Sequence, residues 1–238
     1  MGDFYVIRGL LIKVPELYPY IENMPVSIKD KYVIKTIPAG TLVHQKNDEL
    51  NYFAIVCTGE HRVINEFENG NIFMIEKNEP IDFIGEVTIL AGMPTTSVTI
   101  ETLTDCIVLQ IPREDFEYWI TVDNQFLRLV SQKVAYKLYR SSYNRGAKLF
   151  YPAIFFLMEY IVQYAKTQNI QKGQQITIHK TREVLSEEMC MTTKTLNRSV
   201  KKLKEQGLIC IHKGKICIQY TQYEILLKEM HHILKQTI

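Results

Sequence analysis

The chain lacks the long apolar runs that cross a membrane. Its hydrophobic stretches all fall well short of the roughly 18 residues that a spanning helix needs. The first twenty residues, MGDFYVIRGLLIKVPELYPY, place Asp3 ahead of a broken apolar run and contain no small-residue cleavage site. This is not the pattern of a secretory signal peptide. We therefore expect a cytoplasmic protein without a membrane partner.

The cysteines lack the spacing of a disulfide framework, a zinc site or an iron–sulfur cluster. Their number is odd, they form no C-x-x-C pair, and none lies near the N-terminus. Their apolar neighbours are typical of buried thiols in a reducing compartment. A zinc site of Cys210, His212 and Cys217 would match no usual spacing. A redox role stays open, although nothing in the sequence pairs the five thiols, which are Cys57, Cys106, Cys190, Cys210 and Cys217.

The histidines are also too scattered for an enzyme built on a cupin-like barrel. Such enzymes need clustered histidine and carboxylate ligands around a metal. His44 and His61 stand apart, and no H-x-H pair occurs. We expect no catalytic residues, no metal ligands and no enzyme activity. We expect no resident cofactor either, apart from an unidentified small-molecule effector.

The charge is unevenly distributed along an otherwise ordinary globular composition. The 238 residues carry a net charge of +2 and are 46% hydrophobic. Residues 148–238 contain 14 Lys and Arg against 7 Asp and Glu, a net charge of +7, whereas residues 1–147 contain 14 against 19, a net charge of −5. This asymmetry indicates two domains, of which the C-terminal one contacts a polyanion.

Residues 33–111 have the pattern of short strands separated by turns. β-Branched runs alternate with Gly, Pro and Asn positions, and Asn69-Gly70 is a strong hairpin signal. This spacing predicts an all-β barrel or jelly roll. We assign residues 1–122 to this first domain.

The period changes to three and four residues over residues 113–142, where Val122-Asp123-Asn124 is a potential break. We predict a helix over residues 124–142, followed by a hinge in SSYNRGAK, and assign residues 123–147 to this connecting region. Two interpretations remain open, a core helix packed on the barrel and a dimerisation helix. The second is favoured by a wide apolar surface, formed by Phe126, Leu127, Leu129, Val130, Val134, Leu138 and Tyr139.

Two short helices are predicted in the basic C-terminal domain, residues 148–238. Thr181 is placed to cap a helix that ends near Met189, with Val184, Leu185 and Met189 facing inward. Thr192 is placed to cap a second helix that Gly207 ends. The turn between them includes Cys190 and Met191. This spacing of caps and turn is that of a helix-turn-helix.

The second helix has one apolar and one polar face. Leu196, Val200 and Leu203 recur at i, i+4 and i+7 and form the buried face. The following segment, LICIHKGKICIQY, predicts a hairpin wing with Lys213-Gly214-Lys215 at its tip. A charged helix face is often only a solvated face, but the caps, the wing and the +7 charge together favour DNA binding. The polar face comprises Thr193, Lys194, Asn197, Arg198 and Lys201.

With these motifs, the chain resembles the CRP/FNR family of bacterial transcription regulators over residues 34–219. DFIGEVTIL and SVTIETLTDCIVLQIPREDF resemble the family's ligand cassette, and TREVLSEEMCMTTKTLNRSVKKLKEQGLI resembles its DNA-binding motif. The resemblance implies an α+β fold with an N-terminal β-roll (cupin-like jelly roll) sensor domain, a long dimerisation helix and a C-terminal winged helix-turn-helix. It also implies a homodimer that binds double-stranded DNA and, as an activator, RNA polymerase.

The resemblance assigns DNA-contacting roles residue by residue. Base-edge contacts fall on Thr193, Lys194 and Asn197, and Arg198 matches an arginine of the founding member. Because that member has Arg and Glu at the positions of Thr193 and Lys194, we do not expect this protein to bind the same operator sequence. A second difference lies in the turn, where Cys190 replaces a glycine of that member. The remaining residues are placed for phosphate contacts or on the wing and are Thr181, Arg182, Thr192, Lys201, Lys213 and Lys215.

The same resemblance places an effector pocket in the first domain. Cyclic-nucleotide binders use a Gly-Glu pair for the ribose and an Arg-Ser pair for the phosphate, but Thr96 stands at the arginine position here. A buried phosphate without a cation loses its charge-assisted hydrogen bonds. We therefore expect a different effector or none. The pocket residues so implied are Gly85, Glu86, Thr96, Ser97, Ser141 and Ser142.

Three alternatives to this interpretation stay open. The protein could respond to a cyclic nucleotide through an atypical phosphate site, in which Lys77 or Arg62 supplies the cation from another strand. Gly85 could simply make a turn beside a solvated Glu86. The chain could be a ligand-binding module without a DNA role, such as a kinase regulatory subunit, although the wing and the basic helix argue against it.

Overall fold

The structure, a computed structural model, describes residues 2–68, 72–189 and 191–236. The chain forms two compact units, residues 1–141 and 142–238, and the boundary between them falls inside a long helix. The first unit contains eight strands in two sheets, and the second contains a three-stranded sheet among helices. The predicted α+β class, with a β-roll followed by a winged helix-turn-helix, is confirmed.

The N-terminal segment is helical, which the sequence pattern did not indicate. Helix α1 (Gly2–Lys13) and helix α2 (Tyr18–Ile21) alternate with 3₁₀ turns at Pro15–Leu17 and Val26–Ile28. Pro15 begins the first turn, where its missing N–H costs no hydrogen bond. Apolar side chains of this segment are buried in the core of the first unit, namely Leu10, Val14, Leu17, Ile21, Met24 and Ile28.

Two antiparallel four-stranded sheets form the roll. Their strand orders are β1-β8-β3-β6 and β2-β7-β4-β5. Strands β4 and β5 pair on either side of Asn69-Gly70, although the predicted turn itself lies outside the described residues. The strands are β1 (Val33–Ile37), β2 (Leu42–His44), β3 (Tyr52–Thr58), β4 (His61–Glu66), β5 (Ile72–Asn78), β6 (Asp82–Ile84), β7 (Thr99–Thr102) and β8 (Cys106–Pro112).

Strand β3 is buried on both faces because it separates two parts of the core. Phe53 and Ile55 point to one side and pack with the N-terminal segment and with the helices after β8. Ala54 and Val56 point to the other side, where they pack with residues of the second sheet such as Ile100. The two-residue period of a strand thus supplies both layers from one segment.

Three helices complete this part of the chain, α3 (Glu86–Leu90), α4 (Arg113–Val122) and α5 (Asn124–Phe150). The predicted break between α4 and α5 is confirmed at Asp123, whose backbone is extended. Its Oδ1 accepts hydrogen bonds from the backbone N–H groups of Gln125, at 3.0 Å, and Phe126, at 3.1 Å. Asp123 therefore caps the new helix.

Helix α5 is longer than predicted. It continues past Ser142 to Phe150, so the segment SSYNRGAK, predicted to be a hinge, is helical. Phe126 and Val130 are buried in the core, as the packing interpretation predicts. Leu138 and Tyr139 are 67% and 76% exposed, as the dimer interpretation requires. The packing interpretation is confirmed at Phe126 and Val130, and the dimer interpretation stays a prediction.

The second unit has the order of elements of a winged helix-turn-helix. No helix in the described parts of either unit has the length and apolarity to span a membrane. The strand order of the sheet is β10-β11-β9. The elements are α6 (Ala153–Thr167), β9 (Gln175–Ile178), α7 (Arg182–Glu188), α8 (Thr193–Glu205), β10 (Cys210–His212), β11 (Lys215–Gln219) and α9 (Tyr220–Gln236).

Candidate nucleic-acid interface and sensor pocket

Both helices of the helix-turn-helix begin at a threonine cap, as predicted. The Oγ1 of Thr181 accepts a hydrogen bond from the N–H of Val184 at 3.3 Å, and that of Thr192 accepts one from Thr195 at 3.2 Å. Each cap satisfies an N–H that the helix leaves unpaired. Gly207, with a φ of +71°, follows the C-terminal end of α8. The turn residue Cys190 lies outside the described residues.

The apolar face of α8 is buried as its spacing predicts. Leu196, Val200 and Leu203 pack into a core shared with α6, α7 and β11. Leu185 and Met189 of the preceding segment are also buried, but the predicted inward orientation of Val184 is wrong, since its side chain is 38% exposed. Val184 lies in the first turn of α7, directly before the buried Leu185, and the rotation of about 100° between successive helix residues turns its side chain away from the core.

The polar face of α8 presents most of the predicted DNA-contacting residues to solvent. Lys194, Asn197 and Arg198 are exposed. Lys201 is exposed too, and its amine lies 3.8 Å from Glu205, a contact of little energy at such exposure. Thr193 is half-buried, with its hydroxyl 3.3 Å from that of Ser186. The face therefore offers one amide and several cations for a groove.

The wing is a hairpin whose two-residue loop is Lys213-Gly214. Both residues have positive φ angles, +46° and +78°, which is the geometry of a type I′ turn. Lys213 is exposed, but Lys215 is half-buried and its amine donates to the carbonyl oxygen of Lys180 at 3.2 Å. Arg182 donates to the carbonyl oxygen of Gly214 at 3.4 Å. The wing tip is thereby fixed to the start of α7.

In the candidate pocket, Gly85 has to be glycine for two reasons. Its φ is +96°, and a Cβ atom there would lie 2.8 Å from the carbonyl oxygen of Tyr52. Gly85 immediately precedes α3, so it turns the chain from β6 into the helix whose first residue is Glu86. The alternative of a solvated Glu86 is wrong, because only 2% of this residue is exposed.

Glu86 forms a buried ion pair with a residue that the sequence analysis did not identify. The Nζ of Lys137, on α5, lies 2.7 Å from Oε1 of Glu86 and 3.1 Å from Oδ2 of Asp82. The side chain of Lys137 is 14% exposed, and those of the two acids are 3% and 4% exposed. Lys137 precedes the predicted pocket residue Ser141 by four residues, so both lie on one face of the helix. This spacing was the only signal in the sequence that places Lys137 near the pocket.

The pKa values reflect the competition between burial and pairing in this cluster. Burial raises the pKa of Glu86, and the attraction of Lys137 only partly offsets it. Burial also opposes ionisation of Asp82, but the ring of His61, whose Nε2 lies 3.4 Å from Oδ2 of Asp82, and the charge of Lys137 outweigh burial and lower the pKa of Asp82. For Lys137, burial is outweighed by the two carboxylates, which raise the pKa. Lys137 is therefore the cation that stabilises both acids.

The remaining predicted pocket residues include no cation that could replace the missing arginine. The hydroxyl of Thr96, a buried residue, donates to the carbonyl oxygen of Gln45 at 2.7 Å, so it is engaged by its own loop. Ser97 is exposed, and on α5 Ser141 is half-buried and Ser142 exposed. The two cations considered as substitutes also have partners. Arg62 lies 2.9 Å from Glu101 and Lys77 lies 2.7 Å from Glu60.

The described cysteines are free thiols. Burial raises the pKa of Cys57 to about 12 and also raises that of Cys106 and Cys210. Cys210 and Cys217 lie opposite each other on β10 and β11, a pairing that the sequence did not reveal. Within the described ranges, no group of three potential ligands could hold a metal ion.

Comparison with protein families gives two matches, in the order that this architecture requires. The cyclic nucleotide-binding domain family matches residues 34–122, and the Crp-like helix-turn-helix domain family matches residues 156–223. Together they include the roll from β1 to α4 and the helix-turn-helix with its wing. The first match concerns the domain as a whole, whereas its phosphate site differs here as described above.

Characterised relatives share most of the chain's length. The cAMP-activated global transcriptional regulator CRP of Salmonella typhimurium is 27% identical over 184 residues, which are 76% of this chain and 86% of that protein. CRP of Klebsiella aerogenes matches to the same extent.

Two solved structures share the fold. A transcriptional regulator of the CRP/FNR family from Eubacterium rectale has a TM-score of 0.72 at 15% identity, over 90% of this chain and 99% of its own. The c-di-GMP responsive global regulator CLP of Xanthomonas campestris has a TM-score of 0.70 at 16% identity, over 80% of this chain and 95% of its own.

Proposed function

Because the chain belongs to the CRP/FNR family of DNA-binding transcription regulators, we propose that it binds a near-palindromic operator as a homodimer and that cyclic AMP is not its effector. The observation that carries the proposal is the exposed, cationic and amide-bearing face of α8 beside a wing with a lysine at its tip. Two such helices would enter successive major grooves about 34 Å apart.

The residues of this interface take two kinds of role in the proposal. Lys194, Asn197 and Arg198 would read base edges, since lysine and arginine suit guanine and asparagine suits adenine. Thr193, half-buried at the start of α8, would contribute through its methyl group or hydroxyl. Phosphate contacts would come from the two helix starts, the exposed side of α8 and the wing, which contain Thr181, Arg182, Thr192, Lys201, Lys213 and Lys215.

An operator selected from random DNA tests this interface. Arg198→Ala should weaken binding to the selected operator by about 1–3 kcal/mol and relax its sequence preference. Lys201→Ala should weaken binding to all sequences alike and reduce the salt dependence. Lys228→Ala, on the exposed side of α9, serves as the control and should bind as the unmodified protein does. Failure to select any DNA, or unchanged binding by Arg198→Ala, would contradict the proposal.

We exclude cyclic AMP from the proposal because the described residues of the pocket include no unpaired cation for its phosphate. Thr96 replaces the arginine, and Glu86, the carboxylate expected to hold the ribose, already binds Lys137. Titration calorimetry of the protein with cyclic AMP should therefore release no heat, and the unfolding temperature should not rise. Micromolar binding would mean that an atypical phosphate site exists and would overturn this part of the proposal.

The wider setting follows from the family. The relatives named above are transcription regulators, and we propose no catalytic activity for this chain. Its partners would be double-stranded DNA, a second copy and, if it activates, RNA polymerase. It would act in the cytoplasm, where a bacterial chromosome is located.

A further inference from the structure

A cavity of about 350 Å³ lies in the first unit between α5 and the segment that joins β5 to β6. Gly85, Glu86, Thr96 and Ser97 do not belong to its described lining, but the cavity adjoins the predicted nucleotide pocket, because Lys137 of its lining also contacts Glu86. The charged residues of that lining are Lys77, Lys133, Lys137, Arg140, Glu79 and Asp82.

Three of these cations form a stripe along one face of α5. Lys133, Lys137 and Arg140 stand at i, i+4 and i+7, so they are neighbours on the helix surface. Like charges at this spacing repel each other and destabilise a helix unless counter-charges lie close by. Among the described contacts, only the central lysine of the stripe, Lys137, has counter-charges, which are those of Asp82 and Glu86.

The two outer cations of the stripe have only uncharged partners among the described contacts. The amine of Lys133 donates to the backbone carbonyl oxygen of Ile81. The guanidinium of Arg140 lies over the ring of Tyr136, 5.7 Å from its centre. On the opposite wall, Lys77 is neutralised by Glu60 at 2.7 Å. Among the described contacts, neither Lys133 nor Arg140 is paired with a carboxylate. Glu79, on the opposite wall, has no ion pair among these contacts either, so two unpaired cations face one unpaired acid.

We propose that this cavity binds a small organic molecule with at least two anionic groups, held between Lys133 and Arg140. Ammonium and guanidinium groups form short, charge-assisted hydrogen bonds with carboxylate and phosphate oxygens, and guanidinium can do so in a bidentate manner. A concave site with cations on one wall also concentrates anions from solution. Carboxylates and phosphates share this chemistry, and the experiment below distinguishes them.

The site would stay open in a homodimer formed through α5. Successive helix residues are about 100° apart, so Leu138 points at least a quarter turn away from Lys133, Lys137 and Arg140. Leu138 and Tyr139 are 67% and 76% exposed, and Tyr136, which is 58% exposed, lies beside Arg140 in the lining of the cavity. A second copy that covers Leu138 and Tyr139 alone leaves the cationic stripe facing its own cavity.

Thermal unfolding of the full chain with citrate or pyrophosphate, at constant ionic strength, tests the proposal. At least one of the two should raise the unfolding midpoint in a saturable manner, and calorimetry should give a matching dissociation constant. A response to citrate alone would identify a carboxylate site, and one to pyrophosphate alone a phosphate site. No response to either would overturn the proposal.

Matched variants locate the binding. Lys133→Gln with Arg140→Gln should weaken binding at least about tenfold, because two charge-assisted contacts are lost. Arg128→Gln, an exposed arginine on the same helix outside the cavity, should bind as the unmodified protein does. Equal binding by the double variant, with cooperative unfolding intact, would overturn the proposal. The assay contains neither DNA nor cyclic nucleotide, so its failure and that of the proposed operator binding are separate results.

Discussion

Lys137 is the residue on which the sensor domain's charge balance depends. Breaking a buried ion pair from one side leaves an unpaired charge in a poorly hydrated site, which typically costs about 3–5 kcal/mol. Lys137 faces two such acids, Glu86 and Asp82. Its replacement should therefore be far more damaging than replacement of an exposed lysine.

We expect Lys137→Met to lower the free energy of unfolding by about 3–5 kcal/mol. Adding Glu86→Gln should restore part of the lost free energy of unfolding, since it removes one of the two buried carboxylates that have no cation in Lys137→Met. The exposed Lys29 provides the control, because Lys29→Met should change the stability by no more than about 0.5 kcal/mol. Chemical denaturation measures all of these values. Additive effects of the two substitutions would mean that the pair does not couple.

His44 makes the stability of the roll depend on pH. Burial lowers its pKa to about 4, from 6.5 in the unfolded chain. Between pH 6.5 and pH 4 the unfolded chain binds a proton at His44 more strongly than the folded chain does. The free energy of unfolding therefore decreases as the pH falls from 6.5 towards 4, by up to roughly 3 kcal/mol. His44→Gln should flatten this part of the stability profile. His179→Gln, at an exposed position, should keep the slope of the unmodified protein, and equal slopes in both variants would refute the assignment.

At the scale of elements, the two threonine caps connect stability with DNA binding. The hydroxyl of Thr192 accepts a hydrogen bond from the N–H of Thr195. It also lies in the region that we propose contacts the phosphates of DNA. Thr192→Ala should cost about 1 kcal/mol of stability. Thr192→Asp should keep the cap, because aspartate is a good N-cap residue, but should weaken DNA binding by repelling phosphates.

These two effects are measured separately, by denaturation and by DNA titration. Thr192→Ser retains the hydroxyl and should match the unmodified protein in both assays. If Thr192→Asp binds DNA as tightly as Thr192→Ser, the start of α8 does not approach the phosphate backbone.

The caps also show what the sequence could predict. Thr181 and Thr192 stand directly before apolar positions at helical spacing, and both the strands of the roll and the break at Asp123 follow from local patterns. Such signals involve neighbours within a few residues, where propensity and periodicity act. The buried face of α8 was predictable for the same reason.

The parts that could not be predicted depend on long-range contacts or on weak local preferences. Glu86 and Lys137 are 51 residues apart, so no local pattern links them. The segment after Ser141 contains Ser, Asn and Gly, which disfavour helix by at most about 1 kcal/mol each, and α5 continues through it. The helical N-terminal segment depends on apolar burial against the roll, which its local pattern did not signal.

For the whole molecule, two of the exposed apolar residues of α5 are the candidate dimer contact. Leu138 and Tyr139 stand side by side and expose most of their surface. Leu138→Glu would place a charge in that contact and should shift the protein to monomers in analytical ultracentrifugation. Val122→Glu, at a 55% exposed position outside α5, should remain dimeric. A dimer that persists in Leu138→Glu would exclude this face.

Dimerisation and DNA binding should then change together. Each subunit that binds the operator releases counterions from the DNA phosphates that it contacts. A plot of the logarithm of affinity against the logarithm of salt concentration therefore has a negative slope that is proportional to the number of phosphate contacts. A Leu138→Glu monomer should bind a half-site with about half the salt slope of the unmodified dimer on the full operator. Because Arg198 and Lys201 are unaltered in this variant, its preference among half-site sequences should stay the same. An unchanged slope in a monomer would mean that only one subunit of the dimer contacts DNA.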